Sequence, residues 1–102
     1  MDQRLVRTAE LEIDPERLDD YLNFLREEIA ASVALEPGVI MLHAVAETSA
    51  PHRIRILEVY ASEEAYRSHI ETPHFLKYKT ATAEMVKHLR LVDVNPIILA
   101  AK

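Results

Sequence analysis

The sequence predicts one domain of the α+β class, with helices covering one face of a four-stranded sheet. Four segments alternate or run apolar as strands do, and others repeat apolar residues at helical spacing. Asp, Ser and Thr caps, two of them followed by proline, mark where helices begin. A length of 102 residues, with 49% hydrophobic and 28% charged residues, is typical of one globular domain.

Residues 4–13 alternate between two faces and predict the first strand. One face carries Leu5, Arg7, Ala9, Leu11 and Ile13. Asp14-Pro15 is a cap followed by proline, so the first helix begins there and ends at Glu36-Pro37-Gly38. The apolar stripe of this helix recurs at spacings of three and four, at Leu18, Leu22, Leu25, Ile29 and Val33.

Val39–Glu47 predicts the second strand, residues 48–52 a polar turn, and residues 53–61 the third strand. One face of the third strand carries Ile54, Ile56, Glu58 and Tyr60, and the other carries Leu57, Val59 and Ala61. We expect the more apolar set to meet the helices. That arrangement leaves Glu58 and Tyr60 on the opposite side of the sheet.

Residues 58–75 hold most of the chemistry that the sequence offers. Ser62 caps one short helix, and Thr72-Pro73 ends it and begins another that continues to about residue 87. Residues 88–94 predict the last strand. We therefore place one domain at residues 1–95 and an apolar tail at residues 96–102, which is expected to lie at a dimer interface.

The resulting order, β-α-β-β-α-α-β, predicts a ferredoxin-like split βαβ sheet. The sheet face away from the helices is expected to carry Val39, Met41, Val45, Ile54 and Ile56. Burial of each such side chain is worth roughly 1.5–3 kcal/mol, so these residues need a cover. We therefore predict a homodimer whose two sheets pack face to face, with a cavity between each sheet and its helices.

Composition narrows the classes of function. A net charge of -5 and a pI near 5.5 argue against nucleic acid as a partner. The chain has no cysteine, which excludes thiol catalysis, and its single glycine excludes a glycine-rich phosphate loop. The sequence has neither an apolar signal-peptide core nor a run of membrane-spanning length. We expect a cytoplasmic protein without a membrane partner.

Several motifs are similar to those of the antibiotic biosynthesis monooxygenase family. They are Glu36-Pro37-Gly38, Glu58-x-Tyr60-x-Ser62 and His69-x-x-Thr72-Pro73-His74-Phe75. The resemblance implies a dimeric α+β barrel and, for the oxygenase members, oxidation of quinols or phenols by O₂ without metal or flavin. The family also contains an isomerase of a phosphorylated quorum signal, and haem-degrading enzymes. Lys79 stands where the haem-degrading members carry a histidine ligand, so haem is not expected.

The resemblance favours a cofactor-independent monooxygenase that oxidises a quinol-like or phenolic aromatic molecule with O₂. His69 is the first candidate for the base and His43 the second, since imidazole titrates near neutral pH. Tyr60 is expected to bond the substrate oxygen, and Glu58 to orient a histidine or to donate as an acid. The substrate-binding candidates are His74, Phe75, Tyr78, Met41 and Ile56.

Other interpretations remain open at this point. One is an isomerase or lyase of a small oxygenated metabolite, with Arg53, Arg55 and Lys79 as candidates for holding a phosphate. Another is a dimeric binding protein without catalysis. Glu58 could instead pair with Arg55 or Arg90, and His69 could bond the turn at Thr72-Pro73. No metal is predicted, because His43, His69, His74 and Glu58 lack compact ligand spacing.

Overall fold

The structure is a computed structural model that describes residues 3–102. Its four strands are β1 (Leu5–Ile13), β2 (Val39–Glu47), β3 (Ala50–Tyr60) and β4 (Val86–Val94). The α-helices of this part of the chain are α1 (Leu18–Leu35), α2 (Glu63–His69) and α3 (Pro73–Thr82), and a 3-10 turn at Pro15–Arg17 leads into α1. The predicted order of elements is confirmed.

The strands form one antiparallel sheet in the order β2-β3-β1-β4. This is the ferredoxin-like arrangement that the sequence predicts, with β1 and β3 in the centre. The helices cover one face, where Leu11 and Ile54 pack in a core with Tyr21 and Leu25 of α1. We call this side the helix face and the other side the outer face.

The predicted caps form as hydrogen bonds. Asp14 Oδ1 accepts from the Glu16 amide at 3.0 Å, Ser62 Oγ from the Ala65 amide at 3.1 Å, and Thr72 Oγ1 from the Phe75 amide at 3.3 Å. Each bond satisfies an amide that a helix start would leave unpaired.

Two boundaries differ from the prediction. The turn between β2 and β3 is only residues 48–49 long, so β3 begins at Ala50. Helix α3 ends at Thr82 because the chain turns there: the Met85 amide donates to the Thr82 carbonyl at 2.9 Å, and the Met85 carbonyl accepts from the Asp14 amide at 2.8 Å. Buried Met85 thereby brings the start of β4 against the start of α1.

The predicted orientation of β3 is wrong. Ile56 pairs with Ala9 and Ile54 with Leu11, both on the helix face, so Glu58 and Tyr60 face the helices as well. Both faces of β3 are apolar, so the pattern alone did not decide the orientation. Ile54 and Ile56 belong to the core beneath α1, whereas Leu57 does not.

A β-bulge explains a second correction. Val39 pairs with Tyr60, but Met41 pairs with Val59, so Ile40 is an extra residue in β2. Val39 therefore lies on the helix face, packed in a cluster with Leu42 and Tyr60. Beyond the bulge, His43 pairs with Leu57, which places Met41, His43 and Val45 on the outer face.

The apolar residues of the outer face are thus not the ones that the sequence predicts. Val39, Ile54 and Ile56 leave the predicted set, whereas Val45 remains, with 62% of its surface exposed. Val6 and Val59, at 3% and 0% exposure, are already buried within the single chain. In the tail, Ile97 is 100% exposed. The homodimer stays a prediction.

Among residues 3–102, no helix is both long enough and apolar enough to cross a membrane.

Gly38 gives a test of how α2 packs on the sheet. A Cβ at this position would lie 2.5 Å from the Cβ of Ala65 on α2, which is far too close. We expect Gly38→Ala to lower the free energy of unfolding by about 1–3 kcal/mol, the usual cost of overpacking. Urea denaturation of both proteins measures it.

The double variant Gly38→Ala/Ala65→Gly is the control. Ala65→Gly alone costs about 1 kcal/mol of helix propensity. In its background, Gly38→Ala should cost much less, because the clashing methyl group is gone. Additive losses would contradict the proposed contact.

Candidate active site

A cavity of about 530 Å³ lies between the sheet and the helices. Its floor comes from β1, β3 and β4, and its walls come from α1, α2 and α3. The polar side chains that line it are Arg7, Glu28, Glu58, Tyr60, Tyr66, His69, Tyr78, Lys79 and Thr82. The sequence predicts a cavity at this place, between the sheet and the helices. Its lining combines apolar walls with a few converging polar groups, which is typical of a small-molecule site.

Glu58 and Tyr60 form a pair on the floor of the cavity. They are two residues apart on β3, so both reach the helix face, and the Tyr60 hydroxyl donates to Glu58 Oε1 at 2.5 Å. Burial raises the pKa of Glu58 above its ordinary value, and the hydrogen bond from Tyr60 and the charge of Arg7 offset this only in part. Glu58 therefore keeps its proton to a higher pH than an exposed glutamate does.

His69 occupies the wall, at the end of α2, and is only 3% exposed. Its Nε2 lies 3.5 Å from Oε1 of Glu28 on α1. Glu28 is also buried and accepts from Ser32 Oγ at 2.8 Å, one helical turn away. Burial raises the pKa of Glu28, and the Ser32 hydrogen bond and the charge of His69 lower it less. A second carboxyl group with raised pKa thus faces the same cavity.

Glu36 lies just beyond α1, on the side of His69 that faces away from the cavity, and it contacts both His69 and His74. The Glu36 carboxylate lies 3.1 Å from His69 Nδ1 and 2.6 Å from His74 Nε2. Burial alone would raise the pKa of Glu36, but the hydrogen bonds from the two histidines outweigh it and the pKa is lowered. Because a carboxylate only accepts, both ring nitrogens must donate. His69 then has its proton on Nδ1 and, when neutral, a free lone pair on Nε2.

Two cations line the cavity. The Arg7 guanidinium lies 4.4 Å from the Tyr66 ring centre, and its Nε donates to Asp93 Oδ1 at 2.8 Å. These contacts fix Arg7 while its remaining N–H groups can still donate. Lys79, on α3, also lines the cavity and is exposed. Both cations can therefore attract an anionic part of a ligand.

The other wall is aromatic. The Tyr21 and Tyr78 hydroxyls are 2.6 Å apart, which satisfies both, and burial raises the pKa of Tyr78 to about 12. Phe75 lies between Tyr78 and His69, with ring centres 6.3 and 5.0 Å away. This wall can hold a planar or apolar group against His69.

The structure brings together most of the predicted site residues. His69, Tyr60 and Glu58 line the cavity, and so do the substrate-binding candidates Phe75, Tyr78 and Ile56.

The three other candidates do not line this cavity. His74 touches Glu36 behind His69. Met41 and His43 lie on the outer face, because the bulge at Ile40 reverses the alternation of β2. The predicted role of His43 as a second base therefore has no support from its position.

The structure also decides between the alternative partners that the sequence left open for Glu58 and His69. Arg55 bonds Glu47 at 3.2 Å and Arg90 bonds Glu10 at 3.0 Å, so neither is the partner of Glu58. The Thr72 hydroxyl donates to the backbone carbonyl of His69 at 2.8 Å, which leaves the His69 ring for the two glutamates.

Sequence reasoning missed Arg7, Glu28 and Glu36 as site residues. Arg7 could have been found, since it interrupts an otherwise apolar face of β1. Glu28 and Glu36 are eight residues apart with Ser32 between them, a helical spacing that places polar groups in one line. Arg53 and Arg55, the candidates for holding phosphate, do not line the cavity, whereas Lys79 does.

The fold agrees with the protein family that the sequence matches. Residues 4–81 match the antibiotic biosynthesis monooxygenase family, and the chain belongs to it.

Proteins that are similar to this chain carry the names of two different activities. An isomerase of (4S)-4-hydroxy-5-phosphonooxypentane-2,3-dione from Klebsiella pneumoniae is 31% identical over 85 residues, which are 83% of this chain and 86% of that protein. The Yersinia enterocolitica isomerase of the same name is 29% identical over 72 residues, 71% of this chain and 74% of that protein. A Bacteroides thetaiotaomicron crystal structure bearing the family's monooxygenase name is 52% identical, with a TM-score of 0.95, and covers 98% of this chain and 95% of that one.

Glu58→Gln tests the buried carboxyl group through stability. The raised pKa means that the folded protein binds this proton more tightly than the unfolded chain, whose value is near 4.5. Wild-type stability therefore falls as the pH rises from 4.5 to the folded pKa. We expect Glu58→Gln to be more stable than wild type at pH about 8, with the difference shrinking toward pH about 4.5, as measured by urea denaturation.

The matched control is Glu71→Gln, at a solvent-exposed position after α2. It should show no comparable gain at high pH. A Glu58→Gln protein that is less stable than wild type at every pH would contradict the raised pKa of Glu58.

Proposed function

We propose that this protein is an isomerase that moves a proton within a small hydroxy-ketone carrying an anionic group such as phosphate. The observation that carries the proposal is the placement of His69, Glu28 and Glu58 around one cavity that also holds Arg7 and Lys79. The names of the curated relatives support it: their substrate has a hydroxyl next to a ketone, and a phosphate at its end.

The proposed reaction needs no oxidant. His69 Nε2 removes the proton from the carbon that bears the hydroxyl group, and the electron pair forms a carbon–carbon double bond. The neighbouring carbonyl oxygen takes a proton from Glu58, which gives an enediol. The protonated His69 then returns its proton to the former carbonyl carbon, and Glu58 recovers one from the original hydroxyl group. Hydroxyl and carbonyl have exchanged places, and both side chains are restored.

The neighbours of these groups have supporting roles. Glu36 accepts from Nδ1 of His69, which keeps the lone pair on Nε2. Tyr60 donates to Oε1 of Glu58, so the acid proton belongs on Oε2. Glu28 Oε1 lies 3.5 Å from Nε2, so the imidazolium that forms in the first step can donate to it.

A cofactor-independent monooxygenase remains the second candidate. The ring wall of Phe75 and Tyr78 beside His69 favours it, because a phenol held there would meet a base. The family name and the Bacteroides structure's name also support it. His69 would then remove the phenolic proton, and the electron-rich anion would react with O₂.

One experiment separates the candidates. The protein is incubated in D₂O, with and without oxygen, with (4S)-4-hydroxy-5-phosphonooxypentane-2,3-dione, with its phosphate-free analogue, and with a hydroquinone panel. We expect isomerisation of the phosphorylated compound to persist without oxygen, as followed by NMR. Oxygen uptake with a hydroquinone, and no isomerisation, would overturn the isomerase proposal. Binding of these compounds without either reaction would favour a non-catalytic protein.

Replacement of His69 by asparagine tests the base. An asparagine amide can still donate to Glu36 but lacks the basic nitrogen toward the cavity. We expect kcat to fall by about 10²–10⁴-fold, the usual contribution of a general base, with KM little changed. The paired control is His88→Asn on the exposed part of β4, which should retain full kcat. An unaffected kcat in His69→Asn would remove His69 from the mechanism.

Replacement of the two cations by methionine tests the anion site. Arg7→Met and Lys79→Met should each raise KM for the phosphorylated substrate by about 10- to 100-fold, because a hydrogen bond to a charged group is worth roughly 1.5–3 kcal/mol. KM for the phosphate-free analogue should not rise. Lys77→Met is the control, since Lys77 bonds Glu27 on the exposed surface. Equal KM values for Lys77→Met and Lys79→Met would argue against a phosphate between Arg7 and Lys79.

A further inference from the structure

We propose that Glu36, His69 and His74 form a binding site for a divalent transition metal of the Zn²⁺ class, and that the bound metal reverses the proton arrangement of His69. The metal is not the cofactor of the proposed reaction. It would occupy the side of His69 that faces away from the cavity.

The ligand atoms are already gathered. One atom from each of the three residues lies within 4.8 Å of the others. A tetrahedral zinc ion with bonds of about 2.0–2.1 Å spaces its ligands roughly 3.3 Å apart. The separations between Glu36 Oε2 and the two histidine nitrogens are 3.1 and 2.6 Å. The carboxylate therefore needs to withdraw by less than about 1 Å to admit the ion.

The chemistry of the three residues suits such an ion. Two imidazoles and one carboxylate are a common ligand set for zinc and related metals, with a fourth position left for water. The Glu36 carboxylate supplies the negative charge, held by two ring N–H groups that the metal would replace. Glu36 and His74 side chains are 13% and 15% exposed, so an ion can reach them from solvent.

Three elements contribute the ligands, which accounts for the absence of a compact motif. Glu36 follows α1, His69 ends α2 and His74 lies in the first turn of α3. The interval from His69 to His74 is set by the turn at Thr72, whose hydroxyl bonds both the His69 carbonyl and the Phe75 amide. The two rings are thus fixed relative to each other without help from a metal.

Metal binding has a consequence on the cavity side. Without metal, His69 donates from Nδ1 to Glu36 and has its lone pair on Nε2. A metal on Nδ1 moves the ring proton to Nε2, where it points toward Glu28 Oε1, 3.5 Å away. His69 then changes from an acceptor to a donor on that side. If His69 is the base of the proposed reaction, the metal is an inhibitor.

The test is calorimetric titration of tag-free protein with ZnCl₂. We expect one ion per chain for wild type and for His88→Gln, whose histidine is exposed on β4. Glu36→Gln and His74→Gln should weaken binding by more than the 10- to 100-fold that loss of an outer-shell partner typically costs. Circular dichroism shows whether each variant is folded. Equal affinity in wild type and His74→Gln, or no binding to wild type, would overturn the proposal.

A second measurement uses the wild type alone. Long-range ¹H–¹⁵N spectra of the histidine rings distinguish the two tautomers. We expect His69 to change from the Nδ1–H to the Nε2–H form as Zn²⁺ is added, while the His88 ring signals stay unchanged. A zinc-bound protein whose His69 signals do not move would place the ion elsewhere and overturn the proposed site. Neither measurement depends on the identity of the substrate.

Discussion

The Glu36 carboxylate is the interaction on which the site depends. It stands beyond the end of α1 and accepts hydrogen bonds from His69 of α2 and His74 of α3. One partly buried negative charge thereby joins three helical elements and decides which nitrogen of His69 carries the proton. The broken helix is what makes this possible. A continuous helix through Thr72-Pro73 could not turn both rings toward a single acceptor.

The local parts of the fold could be predicted from the sequence, because their causes are local. The caps at Asp14, Ser62 and Thr72 need only a side-chain oxygen and a nearby amide, and all three form. The element order and the sheet class followed from them. The end of α3 could not be predicted, since it depends on a backbone bond between Met85 and Asp14, seventy-one residues apart along the chain.

Side-chain direction was the harder problem. Both faces of β3 are apolar, so alternation alone cannot say which face meets the helices. In β2, one extra residue at Ile40 reverses the alternation, and nothing in the residue types reveals it. A short interval along one strand was enough to place Glu58 and Tyr60 side by side in the cavity. The position of His43 depends on strand register, and Glu28 reaches His69 only through packing, so neither position could be read from the sequence.

The edge strand β4 contributes exposed residues to the cavity. Leu89 and Leu91 line the cavity but remain 40% and 50% exposed, because the helices do not extend over this edge. A leucine side chain has no donor or acceptor, so neither leucine takes part in the polar contacts of Glu58 and His69. Replacement of these two side chains could therefore alter which molecules are admitted while leaving the proton-transfer groups intact. Relatives that share this fold could therefore differ in substrate through changes at these two positions alone.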